Sequence, residues 1–179
     1  MAKKIVAICG SERKNSYNQY LINFIKQKTI ASFQLHSLPI DKLPFLTNSP
    51  TTHQLIEINY VKQNITEADG LIIATPEING GAPANIKNLI DWCSLESGLL
   101  TNKPIMLLGA SLGLTGTILA QRSLRYVLTY PSINAKLTHQ TECFVANAKD
   151  KFSSTGELID APTQKIVIDL INEFKALIK

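Results

Sequence analysis

Glycine and cysteine are scarce in this chain, with 9 and 3 among 179 residues, and several patterns that would fix its class at once are missing. There is no G-x-G-x-x-G to bring main chain against a pyrophosphate and no G-x-x-x-x-G-K-[ST] to wrap a triphosphate, which disfavours a tightly held dinucleotide or ATP. The cysteines Cys9, Cys93 and Cys143 are far apart, odd in number and set among apolar neighbours, so they read as reduced core residues rather than a disulfide framework. His36, His53 and His139 show no metal-ligand spacing, and no metal is expected. No apolar run approaches a membrane span, and no signal-peptide pattern precedes the first strand after Lys3 and Lys4, which predicts a cytoplasmic protein without a membrane partner. The net charge of +4 is mildly basic, yet Lys and Arg are scattered without runs or interleaved aromatics, so nucleic acid is not indicated. The same charge argues against an acidic electron carrier and suits the attraction of anionic small molecules.

What is present is a regular alternation. Strands are predicted at about Lys3 to Cys9, Ser32 to Ser37, Gly70 to Thr75, Pro104 to Leu108 and Glu142 to Val145. Helical patterns fall near Tyr17 to Lys28, Thr52 to Ala68, Pro83 to Ser94, Gly116 to Tyr130 and Pro162 to Ile178. The alternation predicts a doubly wound, five-stranded parallel α/β sheet of order 2-1-3-4-5 with helices on both faces, in one domain spanning residues 1–179. The segment "LPIDKLPFLTNSPTT" is read as a surface loop because of Pro39, Pro44 and Pro50; a simple connection is its plainest role, and bordering a substrate mouth is the alternative.

Two loops carry the chemistry. The turn "GSERKNSYN" follows the apolar run Ile5 to Cys9 and supplies Ser11, Arg13, Ser16 and Asn18 at the start of a helix. Ser16 with Gln19 reads as a capping box, and the helix dipole, free N–H groups and the Arg13 guanidinium would favour a dianionic monophosphate there. Plain cap and turn duty for these residues is the competing reading. The second loop, "TPEINGGAPANIKNLIDW", follows Leu71 to Ala74; Pro76, Gly80, Gly81 and Pro83 hold it irregular, leaving main-chain donors, Glu77 and Asn79 at the sheet edge where a flat heterocycle could lie. A plain strand-to-helix connection is the alternative there.

These motifs, G-S-x-R-x-x-S-x-N and P-E-x-N-G-x-x-P-x-x-x-K-N-x-I-D-W, resemble the NAD(P)H-dependent FMN reductase family, flavodoxin-like proteins that include quinone, azo and chromate reductases. The resemblance implies FMN with its phosphate at Ser11, Arg13, Ser16 and Asn18 and its ring against Pro76, Glu77, Ile78, Asn79 and Gly80. Similar proteins carry a Ser-x-Gly turn bordering the flavin after the fourth strand, which brings in Ser111 and Gly113. Ile78 departs from the family's common Tyr. The implied activity passes hydride from NADPH or NADH through FMN to a quinone, azo compound, free flavin or metal oxyanion, with no catalytic side chain. A non-enzymatic FMN-binding redox carrier or sensor is the alternative. Apolar positions beyond one buried stripe, including Trp92, Leu95, Tyr126 and Tyr130, together with the pairing of similar proteins through this region, predict a homodimer or higher homo-oligomer.

Gly109 to Gly113 also matches G-x-S-x-G, the nucleophile elbow of α/β-hydrolases. The triad cannot be written in chain order: His139 is the one His after Ser111, and no Asp or Glu lies between them.

Overall fold

The computed structural model describes residues 2–178. Its strands are β1 (Lys3–Cys9), β2 (Phe33–Ser37), β3 (Gly70–Ala74), β4 (Pro104–Ala110), β5 (Lys136–Leu137) and β6 (Phe144–Val145). The helices are α1 (Tyr17–Thr29), α2 (Thr52–Glu67), α3 (Ala84–Ser94), α4 (Ile118–Leu128) and α5 (Ala161–Leu177). All pairings in the sheet are parallel, in the order β2-β1-β3-β4-β5, with β6 also on β4. No helix among the described residues is long and apolar enough to cross a membrane.

The unbroken apolar strands are explained by a sheet covered on both faces. Alternate residues of β1, β3 and β4 point to opposite sides, so Val6, Ile8, Leu71, Ile73, Ile105 and Leu107 pack with α2, α3 and α4. Ile5, Ala7, Ile72, Ala74, Met106 and Leu108 pack with α1 and α5, around Ile25 and Phe174. Each face is fully apolar, and period-2 alternation of polarity is therefore absent from the sequence.

The predicted fifth strand is corrected. Instead of one strand over Glu142 to Val145, two short ones flank β4: β5 pairs with its beginning (Pro104 with Lys136, Ile105 with Leu137) and β6 with its end (Gly109 with Phe144, Ala110 with Val145). The interruption has a physical cause. The Glu173 carboxylate of α5 accepts the main-chain N–H groups of His139, Gln140 and Thr141 at 2.6, 2.9 and 2.8 Å, so these donors leave the ladder. Other boundaries move by a few residues. Helix α4 begins at Ile118 rather than Gly116, because Gly116 has φ of 62° and stands against the Phe144 main chain. Trp92, expected among the excess apolar positions, is only 4% exposed, and its indole N–H donates to Pro44 O at 2.7 Å.

The carboxyl ends of the central strands are knitted directly to one another. Gly10 N donates to Ala74 O, Thr75 N to Leu108 O and Ser111 N to Val145 O, each at 2.9 Å. The loops after β1, β3 and β4 therefore begin at one sheet edge, where open α/β folds bind ligands.

Candidate functional site

At the first loop, the main-chain N–H groups from Ser11 to Asn15 and those of Tyr17 and Asn18 have no hydrogen-bond acceptor among the described residues, while Lys14 and Asn15 form a tight turn. The helix that follows begins at Tyr17 and places the positive end of its dipole beside them. Arg13 is exposed and forms no ion pair among the described residues. Glu12, the one acid in the turn, has its carboxylate engaged by Asn85 Nδ2 of α3 at 3.3 Å. Ser16 caps the helix, accepting from Gln19 N at 3.4 Å, but the expected capping box is only half formed: the Gln19 amide turns to Asn23 Oδ1 at 3.1 Å. The net arrangement is a cluster of unsatisfied donors and a free guanidinium, the chemistry that selects a phosphate-like anion.

The second loop is more regular than expected. Ile78 and Gly81 exchange main-chain hydrogen bonds, both at 3.0 Å, around Asn79 and Gly80, whose φ values are 48° and 73°. Two positive φ values in a two-residue turn are what a type I′ hairpin requires, and Asn-Gly is its usual sequence. The dipeptide was the legible signal for this hairpin. The N–H groups of Glu77, Asn79 and Gly80 have no acceptor among the described residues.

The third loop is held by its own side chain. Ser111 Oγ donates to Gly116 O at 2.7 Å and accepts from Gly113 N at 3.2 Å. This hydroxyl closes a turn, and among the described residues it bonds to main-chain groups and to no His or carboxylate, so the hydrolase elbow has no chemical support. The first glycine of that pattern has a different reason: a Cβ on Gly109 would run into Thr75 O and Thr117 Oγ1, where β4 passes the second loop and the start of α4.

All eleven candidate residues, Ser11, Arg13, Ser16, Asn18, Pro76, Glu77, Ile78, Asn79, Gly80, Ser111 and Gly113, border one open cavity of about 910 Å³, at the upper end of the usual range for small-molecule sites. Two of them are also engaged within the protein. The Asn18 amide is buried and bonds both to Ala110 O at 3.0 Å and to Ala110 N at 2.9 Å. The Glu77 Oε2 accepts from Leu119 N at 2.8 Å and Ala120 N at 3.0 Å, capping α4 and lashing the second loop to the third. Asn15, Phe45 and Asn85 also line the cavity and were not singled out in the sequence. Asn85 falls on an unspecified position of the P-x-x-x-K-N motif, and Phe45 lies in an irregular segment; neither carries a pattern of its own.

The cysteines separate into two kinds. Burial pushes the Cys93 and Cys143 thiols up to about 12, which leaves both inert at neutral pH. Cys9 is only partly buried and lies behind the first loop, with Sγ 3.4 Å from Ser11 O; its pKa is raised, chiefly by burial. Among the described residues no group of His, Cys, Asp or Glu could hold a metal ion.

Comparison with known proteins places this geometry. Over 169 residues the chain is 32% identical to the NADH:(hydroxy)cinnamate reductase subunit CrdA of Vibrio ruber, covering 94% of this chain and 84% of that protein. It is 29% identical to a 2-hydroxy-1,4-benzoquinone reductase of a Burkholderia species, covering 100% of this chain and 98% of the relative. The fold superposes with a TM-score of 0.85 and 25% identity on the flavoenzyme NAD(P)H:(acceptor) oxidoreductase FerB of Paracoccus denitrificans, over 99% of this chain and 97% of that one. The NADPH-dependent FMN reductase family itself matches residues 3–150, from the first strand through all three loops. With its unsatisfied donors, its Asn-Gly hairpin and its shared cavity at the sheet edge, this chain belongs to the NADPH-dependent FMN reductase family.

Proposed function

We propose that the chain is an FMN-dependent NAD(P)H oxidoreductase that reduces a small planar acceptor of the quinone class. The carrying observation is the set of N–H groups around Ser11 to Asn18 that lack an acceptor, with an Arg13 that has no ion pair among the described residues, bordering the same cavity as the Asn79–Gly80 hairpin. Donors at one end suit a phosphate monoester, and the main chain of Glu77 to Gly80 suits the polar edge of a flat ring. The residues present therefore fit FMN.

In this reading Ser11, Arg13 and the N–H groups before α1 hold the phosphate, and Ser16 fixes the helix end that presents them. Asn18 contributes by tying α1 to β4. Pro76, Ile78, Asn79 and Gly80 lie along the ring, with Glu77 fixing their loop, and the Ser111–Gly113 turn closes the remaining side. Bound FMN supplies the hydride acceptor and the one- or two-electron donor. No side chain of the protein has to attack or be attacked; the chain binds, orients and exposes. The net reaction moves a hydride from NAD(P)H, and a proton from solvent, to a quinone, giving NAD(P)+ and the hydroquinone. The relative that acts on a 2-hydroxy-1,4-benzoquinone supports this choice of acceptor.

The chain acts in this proposal as one domain, in the cytoplasm, where its free cysteines remain reduced. It works as a homodimer through the exposed apolar side chains Leu95, Leu119, Tyr126 and Tyr130 on and after α3 and α4. Light scattering at micromolar concentration checks this last point, and a monomeric mass rejects it.

The deciding experiment is an absorbance spectrum of the purified protein followed by anaerobic titration with NADPH and with NADH. Stoichiometric FMN bleached by either nucleotide, and steady NAD(P)H oxidation with a quinone, is the expected result. Bound FMN that neither nucleotide reduces would turn the assignment to a redox carrier, and a protein that takes up no FMN would reject both.

A further inference from the structure

One aromatic residue at the cavity has its main chain pinned on both sides while its side chain is largely exposed. Phe45 is 76% exposed, borders the cavity, and belongs to the irregular segment between β2 and α2. The residues on both sides of it are pinned. The side-chain amide of Asn88, on α3, donates to Pro44 O at 2.9 Å and accepts from Leu46 N at 2.9 Å, so one buried amide brackets the Phe45 main chain in both directions. Trp92, one turn further along α3, donates to the same Pro44 O at 2.7 Å. Leu43, two residues earlier, is anchored in the core.

An exposed surface loop has no need of two buried side chains from a neighbouring helix to set its path. Buried amides and indoles do need their hydrogen bonds satisfied, and here both spend them on the two residues around an exposed phenyl ring. The helix that carries Asn88 and Trp92 is the one that emerges from the Asn79–Gly80 hairpin, so the ring is indexed to the loop assigned above to the flavin. Rigid aromatic side chains fixed at a site mouth offer a face to flat ligands at little entropic cost.

We propose that Phe45 is a specificity-determining residue that contacts the acceptor, its ring stacking on a planar aromatic acceptor when that acceptor lies in the cavity. Asn88 and Trp92 are positioning residues that set the ring's location. This rests on the oxidoreductase reading above and adds to it a preference for flat, conjugated acceptors over compact inorganic ones.

The test is steady-state kinetics on the FMN-loaded protein with two acceptors, 1,4-naphthoquinone and ferricyanide, the second having no ring to stack. The readout is the quotient of the two kcat/KM values, in which the shared step of reduction by NAD(P)H cancels. In Phe45→Ala the quotient is expected to fall about tenfold, and in Phe45→Tyr to stay within about threefold of wild type, as loss or retention of one aromatic stacking contact implies. A quotient unchanged in Phe45→Ala, equal losses for both acceptors, or an equal fall in Phe45→Tyr would overturn the proposal. A lower molar mass of Phe45→Ala in light scattering would also overturn it, by making Phe45 an interface residue. Wild-type protein that binds FMN and oxidises NAD(P)H while its Phe45 variants leave the quotient flat rejects only this assignment; wild-type protein that takes up no FMN rejects the underlying reading as well.

Discussion

The side-chain amide of Asn18 lies flat against the main chain of Ala110, donating to its carbonyl at 3.0 Å and accepting from its N–H at 2.9 Å. The first helix and the end of the fourth strand are thereby joined by a reciprocal pair of hydrogen bonds inside the protein. Replacing Asn18 with Leu keeps the side chain's heavy-atom count and branching but leaves a buried donor and a buried acceptor of Ala110 unpaired. The FMN-free protein is expected to lose about 2–4 kcal/mol of stability, read from the urea midpoint. An unchanged midpoint accompanied by lost FMN affinity would make Asn18 a ligand contact instead.

Arg13 should behave in the opposite way. It is exposed and without an ion pair among the described residues, so Arg13→Ala is expected to change folding stability by less than about 0.5 kcal/mol. FMN affinity should weaken about 10- to 100-fold, the cost of one or two charge-assisted hydrogen bonds. Fluorescence titration of the stripped protein with FMN measures this directly. Equal affinity in the variant would remove Arg13 from the phosphate site.

Glu77 connects the ring loop to α4 through a single carboxylate oxygen. Glu77→Ala should cost about 1 kcal/mol, the usual worth of a helix cap, and Glu77→Gln less, since the amide keeps an acceptor but loses the charge that complements the helix dipole. Thermal melts of both variants give the order. Because Leu119 Cδ1 lies 3.5 Å from the place a Cβ would occupy on Gly80, loosening α4 should also disturb the hairpin, seen as a shifted flavin absorbance band.

Glu173 links stability to pH. Burial, the largest single influence, pushes its carboxyl upward, but hydrogen bonds from Gln140, His139 and Thr141 together hold it below its ordinary value of 4.5. A carboxylate depressed in the folded state stabilises the protein above its ordinary value and ceases to do so as pH falls through the folded one. Wild-type protein should therefore lose its advantage over Glu173→Gln on acidification from about pH 5 to pH 3, in denaturant midpoints taken across that range. A constant difference between the two would show that the clamp between β5 and β6 does not depend on the charge.

Much of this fold was legible because the signals are local. Ile5 to Ile8, Leu71 to Ala74 and Ile105 to Leu108 are apolar without a break, which is what strands buried on both faces look like, and the helices between them show their own period. The fifth strand was misplaced because its division depends on Glu173, on a helix that begins well after it. Trp92 differs from its sequence pattern for a similar reason: whether its face of α3 is open depends on where Pro44 comes to rest.

The candidate residues were brought to one cavity as their strand-end positions implied, but their partners were not readable. Asn18 and Glu77 read from the sequence as ligand contacts, and the tertiary structure gives each a main-chain partner across the site. Phe45 had no pattern at all, since exposure at a cavity mouth leaves no period in the sequence.

By itself the sequence determined the alternation of strands and helices, the covered faces of the sheet and the edge at which the loops gather, because apolar periodicity and turn chemistry act over a few residues. Only tertiary structure decided which polar groups remained free to meet a ligand. That choice is made by hydrogen bonds such as Asn18 to Ala110, 92 residues apart, and such pairings exist only once the sheet has brought distant segments into contact.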